Sequence, residues 1–397
     1  MRTGRTGHGR RPTHRSTCLR VLGRGGAAVA VLLAAGLLLA TTATSVDARS
    51  VMRGLLDDSW TKVDDAERAK ILREMSQRLH VQVLALDLIW ASAEPNAPGE
   101  YDQAYLDHFR ACIDDARRHG IRVVVSVRGT PAWAADTRFA PPNGQPKGPH
   151  RYDPVKKSCL DDWERSVGYF VTYFQGRVTW WECWNEPNLW GYLYPQRTAS
   201  DPKFAARHYM ALLKRFYRAV KSVHPGAKVL AGVTAPVGTN DRDRTSPQRF
   251  ARLLKSFGAA RYFDGYSHHP YMPANRTPMI APEKPPRSPK STVSLGNIKT
   301  LLRVFPKKPF FLTEYGYPTR RSRGWGVGRV SKAIQARYLT RAYKYAARYR
   351  QVKMLVWFLW KDINPTGDPN AYTSAFFGLR TVNGQRKPSW YAFARLK

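Results

Sequence analysis

Two glutamates stand at the ends of apolar, strand-like runs. Glu186 lies in Trp180-Trp181-Glu182-Cys183-Trp184-Asn185-Glu186-Pro187-Asn188, and Glu314 lies in Phe311-Leu312-Thr313-Glu314-Tyr315-Gly316. They are 128 positions apart, so only a fold that returns several strands to one rim brings them together. Two carboxyl groups facing each other across a cleft can divide the cleavage of a glycosidic bond, one moving a proton and the other attacking carbon or activating water. A separation of about 5–5.5 Å goes with retention at the sugar carbon, and about 6.5–9.5 Å with inversion. Glu182 shares strand parity with Glu186 but lies four residues deeper, which predicts a buried, hydrogen-bonded barrel carboxylate.

The elements that must position this pair are legible as alternating short apolar runs and amphipathic stretches from Ser50 onward. Strands are predicted at Val51–Leu56, Val81–Ile89, Ile121–Val127, Thr179–Trp184, Lys228–Val233, Gly265–His269, Pro309–Thr313 and Val352–Leu359. Between them, apolar residues recur at helical spacing, as in Ile71, Met75 and Leu79, or Tyr105, Phe109, Cys112 and Ile113. Glycines at Gly120, Gly176 and Gly226 close helical stretches just before the next strand. Helix-to-strand connections are short, whereas strand-to-helix connections are long: Ala135–Lys156, Pro236–Gln248, Met272–Ser291, Pro318–Gly328 and Lys361–Ser374. Long loops on one face only read as a substrate cleft built on an α/β scaffold, a single-domain (β/α)8 TIM barrel. A doubly wound open sheet is the alternative, but no glycine-rich phosphate loop follows the first strand.

With those motifs in place, the chain from 51 to 397 resembles the retaining glycoside hydrolases of clan A, the superfamily that includes cellulases, β-xylosidases and β-mannanases. The resemblance is carried in order by Trp90 with Glu94-Pro95, Thr130-Pro131-Ala132-Trp133-Ala134, the Trp184-Asn185-Glu186-Pro187 segment, His269-Pro270-Tyr271, Thr313-Glu314-Tyr315-Gly316, and the tail Phe377-Gly378-Leu379 … Gly384 … Lys387-Pro388-Ser389 … Ala392. It implies Glu186 as general acid/base and Glu314 as nucleophile, the charge on Glu314 helping Glu186 to stay protonated. It further implies Asn185 as a donor to the sugar 2-hydroxyl, His269 and Tyr271 reaching across from the sixth strand with the Tyr271 hydroxyl on the nucleophile, and a tryptophan of the eighth strand under the reacting sugar. Of Trp357 and Trp360, Trp360 is nearer the strand's C-terminal end and takes that place. The family's arginine on the second strand, five residues before the tryptophan, corresponds to Ala85 here. Arg128 could compensate; otherwise the barrel is a catalytically impaired one that binds glycan or cell-wall polyanion.

Other residues have smaller roles to fill. Trp133, Trp190 and Tyr192 in rim loops, and Tyr315 and Tyr317 beside Glu314, either stack on sugars or anchor loops. His268 and His269 point to opposite faces, so no metal pair is expected there, and the chemistry calls for no metal or cofactor. Ser/His/Asp hydrolysis lacks a G-x-S-x-G elbow. Cys112 and Cys159 fall on adjacent helical stretches, either as a disulfide in an exported protein or as two buried thiols; Cys183 lies inside a strand.

Seven arginines in the first 24 residues precede an apolar run, Ala27 to Ala40, and Val46-Asp47-Ala48 offers an A-x-A-type cleavage site. Residues 1–48 are therefore expected to be a signal peptide or a single membrane anchor, with residues 49–397 secreted or held on the outer face of the cytoplasmic membrane. The full chain has 65 Lys+Arg against 29 Asp+Glu; without residues 1–48 it still carries +30. The basic residues are spread along the chain rather than gathered in a basic helix, which argues against nucleic acid. An oligo- or polysaccharide substrate and an anionic cell-wall polymer are the expected partners. Apolar residues at 43% and aromatics at 12% allow a full core.

Overall fold

The structure is a computed structural model that describes residues 51–139, 153–275, 277–322, 326–368, 371 and 374–396. The export segment expected over 1–48, with Cys18, lies outside the described residues. Eight parallel strands, β1 (Met52–Leu56), β2 (Val83–Ile89), β3 (Arg122–Arg128), β4 (Trp180–Cys183), β5 (Lys228–Thr234), β6 (Gly265–His268), β7 (Phe310–Tyr315) and β8 (Val352–Phe358), close into a barrel in sequence order. Between and after them run α1 (Asp65–Gln77), α2 (Trp90–Ala93), α3 (Gln103–Arg118), α4 (Leu160–Tyr173), α5 (Phe204–Val223), α6 (Pro247–Ser256), α7 (Lys299–Leu302), α8 (Lys332–Ala346) and α9 (Pro388–Ala394).

Local chemistry explains the helix starts. The side chains of Asp64, Asp102, Ser246 and Ser331 accept the backbone N–H three residues on and so cap α1, α3, α6 and α8. Pro247 adds a preset φ at the first turn of α6. Along α3, Leu106, Phe109, Cys112, Ile113 and Ala116 form one buried stripe against the barrel.

Barrel strands are covered on both faces, which is why they read as mainly apolar runs. Val83, Ala85, Val124, Trp180, Leu230, Phe311, Met354 and Val356 form the apolar floor inside the barrel. A Cβ on Gly265 would lie 2.4 Å from Phe311 Cε2, so only glycine admits that ring. Above the floor comes a polar belt. Glu182 accepts from Ser126 Oγ at 2.6 Å and from Thr313 Oγ1 at 2.9 Å, and Thr313 shares a 2.6 Å hydrogen bond with Ser267. Burial raises the Glu182 pKa, and all of its contacts lie within the barrel wall, as its depth in β4 predicts.

The C-terminal tail is a clasp. Lys387 Nζ, almost fully buried, donates to Asp362 at 2.7 Å and to Thr319 at 3.1 Å, while Gly378 N–H donates to the same Asp362 oxygen at 2.8 Å. The clasp ties the loops after β7 and β8 to the start of α9.

Candidate active site

Beyond Cys183 the chain leaves the extended region. Trp184 has φ 70° and Glu186 φ 40°, and on the neighbouring strand Val233 has φ 44°. Left-handed backbone at bulky non-glycine residues is strained and persists only where surrounding contacts impose it. Those contacts are visible. Trp184 Nε1 donates to Tyr192 O at 2.8 Å, and Glu186 N donates to Val233 O at 2.8 Å. The fully buried Asn188 amide donates to the carbonyls of Ala235, Val237 and Thr245 and accepts from Ala235 N at 2.8 Å. Asn188 therefore clamps the loop after β4 to the loop after β5 and aims Glu186 at the cleft. The sequence motif contained this residue, but no role was assigned to it.

Glu314 comes from β7, where a register shift between Leu312 and Tyr315 breaks the alternation. That shift lets the neighbours Thr313 and Glu314 serve different layers, one the polar belt and one the cleft. Tyr271 Oη donates to Glu314 Oε1 at 2.8 Å. His269 Nδ1 lies 3.0 Å from Glu186 Oε1 and 3.2 Å from Glu314 Oε2, a cationic hinge between two carboxylates. One oxygen of each carboxylate and the imidazole nitrogen all lie within 4.8 Å of one another. That spacing falls on the retaining side of the two carboxyl geometries. The three atoms could also surround a divalent cation, but an Nδ1–H between two carboxylates satisfies the same set with a proton.

Electrostatics follow from burial and proximity. Burial works against a charged His269, yet Glu314 and then Glu186 outweigh it and lift its pKa to about 9. Glu314 is pushed up to about 7, first by burial; His269 opposes the rise, Glu186 adds to it and the Tyr271 hydrogen bond opposes it. His268, by contrast, is enclosed between Thr234 Oγ1 and Val293 O at 2.9 Å each, and burial lowers its pKa to about 3.

Ala85 sits in the apolar floor, so β2 supplies no arginine at that height. Two residues on, Asp87 binds Arg128 at 2.6 Å. Arg128 thus reaches the cleft from β3, but its ion-pair partner is Asp87 rather than Glu314. Asp58 stands nearby, its pKa lifted to about 7 by burial and then by the charges of Asp87 and Asp57. The β1–β3 side of the rim is therefore rich in carboxyl groups, a feature that the overall basic charge concealed.

The remaining predicted residues divide. Asn185 is buried at the rim beside Glu186, and no hydrogen bond holds its amide among the described residues. Trp133 is half-buried, donating to Glu94 O at 3.0 Å and meeting Trp90 edge-on at 5.5 Å, so it anchors its loop. Trp360 must be corrected. It lies past the end of β8 in the outer hydrophobic cluster, 3% exposed, with the Arg380 guanidinium 4.8 Å from its ring and Arg380 reaching Glu74 on α1. Trp357 also faces outward, donating to Phe377 O at 3.0 Å. The inward aromatic is Phe358, packed near Tyr271 and Phe377. Tyr315 and Tyr317 are fully buried and stack on no ligand surface. Cys112, Cys159 and Cys183 are free thiols, and Cys112 lies against Thr61 O and His108.

No protein-family model matches the chain, and no curated protein matches its sequence. Solved structures do match. A family 39 glycoside hydrolase from Bacteroides cellulosilyticus superposes with a TM-score of 0.61 at 23% identity, over 87% of this chain and 63% of that one. A GH39 β-xylosidase from Caulobacter crescentus gives 0.58 at 19% identity, over 87% and 70%. GH5_18 from Streptomyces cattleya, solved with GlcNAc, gives 0.62 at 15% identity, over 87% and 79%. The chain thus spans less than two thirds of the length of the first of these and more of the others. At such identities the likeness speaks for architecture: the chain has the (β/α)8 barrel fold on which glycoside hydrolases of families 39 and 5 are built.

Proposed function

We propose that this protein is an extracytoplasmic glycosidase that cleaves a β-linked glycan with retention, using Glu314 as nucleophile and Glu186 as acid/base. The observation that carries the reading is the Glu186–His269–Glu314 triad, with one oxygen of each carboxylate and the imidazole nitrogen within 4.8 Å of one another at the strand ends. In the first step the Glu314 carboxylate attacks the anomeric carbon while Glu186 gives its proton to the departing glycosidic oxygen. The product is a glycosyl ester on Glu314 and a free leaving-group hydroxyl. With the Glu314 charge consumed, Glu186 accepts a proton from water, which attacks the same carbon and expels Glu314 as carboxylate. Asn185 is positioned to donate to the 2-hydroxyl of the sugar, and Phe358 supplies the apolar wall of the reacting subsite. The export reading rests on the basic and apolar segments before residue 48, and the +30 body supports residence on an anionic wall or matrix polymer.

One observation favours a second reading: Ala85 leaves Glu314 without a β2 arginine. The barrel would then bind glycan without turning it over. Released reducing ends, measured on a panel of neutral and acidic β-linked oligosaccharides, separate the two. Turnover that falls at least about a hundredfold in both Glu186→Gln and Glu314→Gln supports the glycosidase. Binding without turnover in wild type and both variants supports the binding barrel.

A further inference from the structure

Beside the loop that carries Glu186 lies an open cavity of about 700 Å³. Phe139, Pro195 and Pro202 form apolar walls, and Arg197 and Arg242 supply charge; no lining side chain is acidic. Neither arginine enters an ion pair among the described residues, whereas Arg128, Arg138 and Arg207 each hold a carboxylate. Arg197 is held by a hydrogen bond, and Arg242 is exposed beside an aromatic ring. Arg197 Nη1 donates to Asn240 O at 3.0 Å, leaving the rest of its fork free, and the Arg242 guanidinium lies 5.4 Å from the Tyr194 ring. The cavity wall is also tied to the reaction centre. Buried Gln196 donates from Nε2 to Pro187 O at 2.9 Å, next to Glu186, and from its backbone N–H to Arg242 O at 2.9 Å.

We propose that this cavity is an anion subsite on the leaving-group side of the cleft, taking the carboxylate of an acidic sugar two or more units from the cleaved bond. The inference rests on the reading of Glu186 as the acid, because the group it protonates departs on its side. A planar guanidinium fork with apolar walls suits a carboxylate on a sugar ring. The reaction centre has the opposite character. Four carboxyl groups, Glu186, Glu314, Asp87 and Asp58, outnumber the three cations that act on them, His269, Arg128 and Lys62, so an anionic sugar is disfavoured there. The substrate implied is charge-asymmetric, with an uncharged sugar at the cleaved bond and a uronic acid beyond it.

The test compares binding of two β-linked oligosaccharides by the full protein, one with a uronic acid and one with its neutral counterpart, by calorimetry at low salt. Wild type is expected to prefer the acidic ligand about tenfold to a hundredfold, from charged hydrogen bonds. Arg197→Gln/Arg242→Gln should bring the ratio near one, and Arg197→Lys/Arg242→Lys should leave part of it, because the charge stays while the fork is lost. The single variants serve if a double variant does not fold. Arg303→Gln/Arg337→Gln, on the helical layer, removes the same charge elsewhere and should leave the ratio intact. Equal binding of the two ligands by wild type overturns the proposal, as does an equal loss in the control pair. A sulfated counterpart that binds better than the uronate overturns the carboxylate assignment. Turnover of the neutral glycan without any preference would remove the subsite and keep the glycosidase, whereas Arg-dependent binding with no turnover would do the reverse.

Discussion

His269 holds a charge between the two carboxylates, and its removal has a calculable consequence. In His269→Gln the side chain keeps a hydrogen-bond donor but loses the cation. At the 3.2 Å separation from Glu314, a unit charge pair is worth about 1.3 kcal/mol at the dielectric of water and about 5 kcal/mol at an effective dielectric near 20. One pH unit corresponds to about 1.36 kcal/mol. Glu314 must be ionised to attack, and its pKa is already lifted to about 7, so activity should rise with pH through about 7 in wild type. Without the imidazolium the protonated form of Glu314 gains, and the acid limb of kcat/KM should move upward by at least about one unit. The assay is the pH profile of kcat/KM on an activated aryl β-glycoside, paired with a carbon-13 NMR titration of the glutamate carboxyls, with Glu314→Gln identifying the signal. An acid limb that stays in place, or moves down, would refute the assignment of His269 as the cation that supports the nucleophile.

Three further outcomes follow from the same contacts. Tyr271→Phe removes a charge-assisted donor from Glu314 and should lower kcat about tenfold to a hundredfold while shifting the acid limb upward, read from the same profiles. Phe358→Ala should raise KM through loss of the apolar wall of the subsite, whereas Trp360→Phe, in the outer layer, should leave KM unchanged; steady-state kinetics on one substrate separates them. Asn188→Ala strands the Ala235 N–H and frees the Glu186 loop, so denaturant unfolding should show a loss of about 2–4 kcal/mol, accompanied by a fall in kcat.

The barrel was legible because its strands are mostly apolar and each ends near a loop-forming residue. All eight predicted runs contain the observed strands to within a residue or two. Glu186, Glu314, His269 and Tyr271 were expected to meet because their motifs sit at strand ends, and in the structure they touch one another there. Alternation failed where strands become irregular. Counting along β8 set Trp357 against Trp360, yet Trp357 faces the helices and Trp360 lies beyond the last paired residue, leaving Phe358 inward. Likewise, the shift in β7 placed both Thr313 and Glu314 in the barrel interior. The carboxyl cluster of Asp58 and Asp87 was invisible because it joins a residue just past β1 to one within β2, and a chain-wide charge count averages it away. Asn188 needed the neighbouring loop after β5 to show what its amide holds.

The central claim is double displacement by Glu314 and Glu186. It is tested most directly by proton NMR of the freshly released sugar, recorded before mutarotation, on the first β-linked substrate that the panel identifies. The geometry predicts that the β-anomer appears first and the α-anomer later, as the two equilibrate. Initial release of the α-anomer would mean inversion, a water between the carboxyls, and an account of this site that is wrong at its core.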